Sequence, residues 1–370
     1  MQVIEFIKEK GFQALTDELG IIVKFVDDLV VLNYNQIDSP KTHPIVIECR
    51  SLILNKNTLE VVSRSFDRFF NLGEALNVMP EIDWSRAEVF EKVDGSLIKI
   101  YFHEGLWRIA TRGTAYGESD CMGHGITFAE LVYKALRVED AEHFNYLMNR
   151  SFLFKGHTYI FELTSVENRV VKHYSGYNLH LLAVRNNLHG TYITNEEREW
   201  LESPDCMLHD RIQLAKRFNF TSEADAVDSA ANLKDLDEGY IVYQDGEPIC
   251  KIKSPAYVAV HHIRGEGLNP KRISQLVLSG EEEEYLNYFP EDRDVIQPYV
   301  DANRDMMYEM IVEYANVHDI TDQKEFALAI AKHKFKGVLF NARAKCVGVT
   351  TSFNEQRDTF KVDLLRSYVK

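Results

Sequence analysis

A lysine attacks phosphorus only as the free amine, and one stretch of this chain is arranged to present one. Glu91-Lys92-Val93-Asp94-Gly95-Ser96 lies between residues 88–90 and the alternating Leu97-Ile98-Lys99-Ile100-Tyr101-Phe102, both of which read as strands. Asp94-Gly95 predicts a tight turn, so Lys92 stands at a strand end where it can face a pocket. Glycine there allows close approach and positive φ, leaving backbone N–H groups free to meet an anion. On this reading Lys92 is a nucleophile that becomes covalently bound to a nucleotide. The plain alternative is a solvated lysine beside an ordinary turn.

Other groups could serve the same chemistry. Arg50, in Glu48-Cys49-Arg50-Ser51, and Arg68, in the run from Ser63 to Asn71, sit at strand ends beside aromatics. Such arginines can hold phosphates or can simply coat a sheet. Glu162 lies among apolar residues in Thr158-Tyr159-Ile160-Phe161-Glu162-Leu163-Thr164. A carboxylate is expensive to bury there without a partner, so it pairs with an arginine such as Arg169 or accepts from a ligand's hydroxyls. Lys251 and Lys253 are two apart on a strand and share one face, where they repel unless anions lie between them. An exposed edge strand guarded by lysines would look the same.

The elements that must position these groups follow from periodicity. Residues 1–20 predict short helices broken at Gly11 and ending at Gly20. Strands are expected at 21–26, 29–34, 45–47 and 51–54, a hairpin over 101–109, one helix over 126–149, and strands at 158–164 and 179–185. A second hairpin joins Asp237-Glu238-Gly239-Tyr240-Ile241-Val242-Tyr243 to Ile249-Cys250-Lys251-Ile252-Lys253. From about residue 263 strand signals fade. Ile296, Val300, Asn303, Met307, Met310 and Tyr314 keep helical spacing, and Asp322 to Glu325 predicts a capped helix start. The expected class is α+β: an antiparallel-sheet domain over 1–262, then an all-α domain over 263–370.

Composition narrows the field. With 370 residues and 45% hydrophobic residues the chain can build two cored domains. No apolar run approaches the roughly 18 residues of a membrane span, and the start lacks a signal-peptide pattern, so a cytoplasmic protein is expected. Five scattered cysteines without a C-x-x-C pair suggest neither a thiolate zinc site nor a disulfide framework, and His261-His262 reads as structural. The formal net charge of −15 argues against nucleic-acid binding by bulk electrostatics alone. A local basic cleft is compatible with it, and the last forty residues are rich in Lys and Arg.

Taken together, Lys-x-Asp-Gly, Phe-Glu-Leu, Leu-Leu-Ala-Val-Arg, Glu-Gly-Tyr and Lys-Ile-Lys, in that order, resemble the covalent nucleotidyltransferases. The closer resemblance is to the RNA ligase 1 family of T4-like bacteriophages. It is carried by Glu48-Cys49-Arg50, Arg68-Phe69-Phe70-Asn71, Asn168-Arg169-Val170-Val171 and Lys251-Ile252-Lys253-Ser254 with Tyr257, and by the helical C-terminal third. Ser51 stands where that family usually has glycine, and Arg68 and Arg112 stand where it has lysines, which alters hydrogen-bond geometry at those positions.

The resemblance implies a nucleotidyltransferase fold and an ATP-dependent RNA ligase. Lys92 would attack the α-phosphorus of ATP to form lysyl-AMP. AMP would then pass to an RNA 5′-phosphate, and a 3′-hydroxyl would displace it, with broken tRNA as a candidate substrate. Glu162 would hold the ribose hydroxyls, Glu91 or its backbone the adenine edge, and Arg50, Arg68, Arg112, Lys251 and Lys253 the phosphates. Glu238 is the first candidate for Mg²⁺, or Mn²⁺ in its place, because such ions need only one or two carboxylates besides water and phosphate. Burial and the charges of Lys251 and Lys253 are expected to lower the Lys92 pKa to ~7–8. A monomer in the cytoplasm of a phage-infected bacterium completes the expectation. The alternatives are a catalytically silent RNA- or nucleotide-binding module on the same scaffold and a ligase preferring DNA ends.

Overall fold

A computed structural model describes residues 1–369 apart from 36, 37, 76, 194, 195, 265–267 and 281. It divides into two compact units, Met1–Val258 and Ala259–Lys370, a boundary four residues before the one expected. The side chain of His262 lies outside the described residues, and the reading of the His261-His262 pair with it.

The first unit carries the strands β1 (Ile21–Val26), β2 (Leu29–Tyr34), β3 (Arg50–Asn55), β4 (Val61–Ser63), β5 (Phe70–Asn71), β6 (Ala87–Glu91), β7 (Ser96–His103) and β8 (Leu106–Ala110). These are followed by β9 (His157–Thr164), β10 (Asn178–Asn186), β11 (Tyr192–Ile193), β12 (Gln213–Leu214), β13 (Arg217–Phe218), β14 (Gly239–Gln244) and β15 (Glu247–Lys253). They form three sheets: a four-stranded one in order β1-β2-β3-β4, a five-stranded one in order β13-β6-β14-β15-β5, and a six-stranded one in order β11-β10-β9-β7-β8 with β12 beside β10.

Alternation along the strands decides which layers meet. In the first sheet Val30, Leu32, Leu52 and Leu54 face the helices Gln2–Lys10 and Phe12–Leu19, while Leu29, Val31 and Ile53 meet Tyr101 and Ala110 of the six-stranded sheet. The other face of that sheet packs Ile98, Ile100, Tyr159 and Phe161 against helices Phe128–Leu136 and Ala141–Arg150. The five-stranded sheet buries Val89, Tyr240, Val242 and Cys250 against Ala226 and Ala230 of helix Glu223–Ala231.

Three expectations need correction. Residues 45–47 form part of a short helix, Pro44–Glu48, because proline suits a first helical turn and Ile45 and Val46 reach the core from there. The helix expected over 126–149 is two helices. Arg137 ends the first in left-handed backbone (φ 56), and the Asp140 carboxylate accepts from His143 N–H to cap the second. The chain from Lys92 to Gly95 is no hairpin turn: β6 pairs with β13 and β14, β7 with β8 and β9, so this segment crosses between sheets.

The second unit holds no strand among its described residues, and its helices include Pro270–Ser279, Glu282–Tyr288, Arg293–Val317, Gln323–Ile330, Lys336–Lys345, Val349–Asn354 and Asp358–Arg366. Met306, Met310, Phe326, Phe335, Leu339, Phe353 and Leu365 form its buried interior. Asp322 caps the fourth of these, accepting from the N–H groups of Lys324 and Glu325. Among the described residues no helix is long and apolar enough to cross a membrane.

Candidate active site

Between the five- and six-stranded sheets lies a cavity of about 220 Å³, its walls formed by Phe90, Ile241 and Tyr243 on one side and Leu97, Leu181 and Leu182 on the other. Its polar lining gathers Arg50, Glu91, Lys92, Glu162 and Lys251, with Phe66 and Phe69 beside them. An apolar slot with cations at one end suits a planar base followed by phosphates.

Two glycines let the strands close around Lys92. A Cβ on Gly95 would stand 2.2 Å from the Leu163 carbonyl oxygen, so the crossing is made by close approach; Gly95 is not among the positive-φ positions the sequence suggested. Gly239, at φ +134 with the Ile252 oxygen 2.0 Å from its would-be Cβ, lets its own carbonyl accept from Lys92 N–H at 2.8 Å.

Lys92 Nζ donates to Glu238 Oε2 at 2.6 Å, and Lys253 Nζ lies 3.0 Å from Oε1 of the same carboxylate. Glu238 is buried. Burial would raise its pKa, but the two ammonium groups outweigh it and hold it below the usual range. The lysine behaves oppositely to expectation. Burial lowers its pKa, yet Glu238, Glu162 and Asp94 together push it above the ordinary value, because the nearest charges are carboxylates and not the other lysines. Glu162 is pushed up to about 8 by burial, against Lys92 and with Glu238 and Asp94. Lys251 is pushed down to about 6 by burial first and then by Arg50, Lys92 and Arg68. Its ammonium stacks 4.6 Å from the Phe69 ring.

Arg50 lies across the rings of Phe66 and Phe69, 5.9 and 5.5 Å from their centroids. Its Nη1 is buried and has no hydrogen-bond partner among the described residues, an uncompensated donor beside the cavity. Arg68 and Arg112 stand outside the cavity lining. Each guanidinium lies 4.8 Å from the Tyr34 ring; Arg68 also meets Glu74 at 3.5 Å and Arg112 donates to Asn33 Oδ1 at 3.3 Å. Glu91 lines the cavity, with Oε1 accepting from Lys216 N–H at 3.0 Å.

Sequence reasoning gave Asp94 to a turn and missed its part in the site. Its buried carboxylate accepts from Val171 N–H (2.8 Å), Lys172 N–H (2.7 Å) and the Tyr257 hydroxyl (2.7 Å). Asp94 thereby ties the lysine segment to the Asn168-Arg169-Val170-Val171 block and to Tyr257. The recurrence of those motifs in one chain was the available signal. Asp67 was missed as well: it pairs with Arg185 at 3.0 and 2.7 Å and with Arg64 at 3.1 Å, fixing the segment that carries Phe66 and Phe69.

The fold is that of a ligase-type nucleotidyltransferase, and residues 48–257 match the RNA ligase family. The chain belongs to that family. It is 34% identical, over 100% of its length and 54% of the relative's, to a protein of Autographa californica nuclear polyhedrosis virus named as a bifunctional polynucleotide kinase/RNA ligase. An RNA ligase of Rhodothermus phage RM378 is 24% identical over 90% of this chain and 88% of its own. Among solved structures, a mutant RNA ligase of Naegleria gruberi with ATP and Mn is similar at 16% identity and TM-score 0.36, covering 48% of this chain and 51% of that one. The chain thus spans about half the length of the viral relative.

Proposed function

We propose that this chain seals RNA ends with ATP. The Lys92 amine attacks the α-phosphorus, a P–N bond forms, the bond to the β-phosphate oxygen breaks, and pyrophosphate leaves. AMP then moves to an RNA 5′-phosphate, and a 3′-hydroxyl displaces it to make the phosphodiester. The supporting observation is the juxtaposition of Lys92, Lys251 and Arg50, whose Nη1 has no partner among the described residues, in the lining of one cavity with apolar walls. There they can meet charge developing on phosphorus oxygens. At the same cavity, Glu162 is kept largely neutral at pH 7 and can hydrogen-bond ribose hydroxyls, while Arg68 and Arg112 add positive charge from behind.

Lys92 must lose its proton and its ion pair before it can attack. Glu238 is chemically suited to a hard divalent ion, Mg²⁺ or Mn²⁺, being a carboxylate whose two oxygens are, among the described residues, held only by lysines. Such an ion, once bound, supplies positive charge that competes with Lys92 for Glu238 and offsets the phosphates. Lys253, still beside Glu238, keeps that carboxylate ionised.

Intact-mass spectrometry after incubation with ATP and Mg²⁺ tests the first step. The expected result is a gain of one AMP in the natural chain and none in Lys92→Ala. The tight Lys92–Glu238 pair favours one other reading, a module that binds nucleotide and stays silent; absence of the adduct with ATP still bound would select it. Joining of 5′-phosphate RNA, 5′-phosphate DNA and a nicked tRNA, compared side by side, tests the proposed preference for RNA and for tRNA repair.

A further inference from the structure

Lys99 has no part in the chemistry above, yet it is a fully buried lysine (0% exposed). It lies on the face of β7 shared by Tyr101, against the apolar layer of Leu29, Val31, Ile53 and Ala110. A leucine or methionine would fill such a place without desolvating an amine, and burial pushes this one down to about 7. Among the described residues its ammonium has one hydrogen-bond acceptor, the carbonyl of Ser51.

Ser51 is a bulge. Leu32 pairs with Leu52 and Asn33 with Arg50, leaving Ser51 as the extra residue, at φ 58, a left-handed conformation that glycine adopts freely and serine does not. Its hydroxyl donates to the Thr111 carbonyl at 3.0 Å, one residue before Arg112. Without the extra residue, Arg50 would shift one register position and its side chain would turn to the opposite face of β3. Arg50 is held by two aromatic rings, and its buried Nη1 has no acceptor among the described residues, so its direction depends on this backbone.

We propose that Lys99 is a positioning residue for the phosphate end of the site: by holding the Ser51 carbonyl it maintains the bulge that aims Arg50 into the cavity. The proposal rests on the reading that Arg50 meets ATP phosphates. It also accounts for two features together, a serine held in left-handed backbone and a lysine buried against that serine's carbonyl.

The test is the single-turnover rate of lysyl-AMP formation at saturating ATP in the full-length chain. Lys99→Met is expected to slow it about tenfold, the scale of a small misplacement of a charge-stabilising group. Adding Ser51→Gly should bring the rate back to within about threefold, because glycine holds the bulge without an anchored carbonyl. Lys99→Met with Arg50→Ala should be no slower than Arg50→Ala alone. A natural rate in Lys99→Met, additive losses with Arg50→Ala, or no recovery with Ser51→Gly would each overturn the proposal. If Lys99→Met alone does not fold, the Ser51→Gly pair carries the test, and failure of both to fold would make Lys99 a general fold determinant and overturn it. Absence of lysyl-AMP in the natural chain would instead refute the ligase reading on which Arg50 depends.

Discussion

Glu162 and Lys251 are two charged residue types driven toward neutrality by one cavity, and their titrations have opposite signs. Lys251, with a pKa of about 6 in the free protein, is largely neutral at pH 7.5. A triphosphate beside it stabilises the ammonium, so ATP binding should take up a proton, and affinity should fall as pH rises above 6, by at most about tenfold per unit. Calorimetry in two buffers of different ionisation enthalpy would detect that uptake; Lys251→Met should lack it. Glu162, with a pKa of about 8, binds its proton more tightly folded than unfolded. Between the unfolded value near 4.5 and 8 the native state therefore holds more protons, and stability falls as pH rises through that window. Denaturant midpoints of Glu162→Gln should lack that decline, so the variant gains on the natural chain from pH 5 to pH 8. These residues were legible from their types and order. The direction of the Lys92 shift was not, since the sequence gives no distances and the 2.6 Å contact with Glu238 decides it.

At the scale of elements, period-two alternation made most strands readable, because each buries one face against a different layer. Ile45-Val46-Ile47 misled for the same reason: β-branched residues read as strand, while proline at the first turn and the apolar core around Ile45 and Val46 make a helix there. The segment after Lys92 was read as a turn because Asp-Gly is a turn signal, although its strands belong to different sheets. Gly95 exposes the difference. A hairpin glycine at positive φ would tolerate asparagine, whereas here any Cβ meets the Leu163 carbonyl at 2.2 Å, and that carbonyl already accepts from Asn168 Nδ2 at 2.6 Å. Gly95→Ala should therefore destabilise the chain by about 1–3 kcal/mol in chemical denaturation. It should also displace Lys92 enough to suppress AMP labelling at temperatures where the variant remains folded.

For the molecule as a whole, a net charge of −15 has to be reconciled with the proposed RNA substrate, and the cations of the helical unit are where that can be tested. Its helices were legible from spacing, but which of its cations are available was not, because that depends on neighbours. Lys345 pairs with Glu355 at 2.9 Å, Lys361 with Asp358 at 2.9 Å and Arg366 with Asp363 at 4.0 Å, while Arg343 donates to the Thr321 carbonyl at 2.7 Å over the Phe326 ring. Lys332, Lys336 and Arg357 are exposed and have no ion pair among the described residues. If RNA lands on this unit, these and the other exposed unpaired cations, Lys334 among them, should carry the salt dependence and the paired lysines little of it. Lys332→Glu with Lys336→Glu is expected to weaken RNA binding and to reduce the slope of log affinity against log salt by roughly two. Formation of lysyl-AMP from ATP should be unchanged in the same variant, since neither residue belongs to the unit that holds Lys92. Filter binding across a salt series, beside AMP labelling, measures both. An unchanged salt slope would move the RNA contact off these two lysines and onto other cations of the chain.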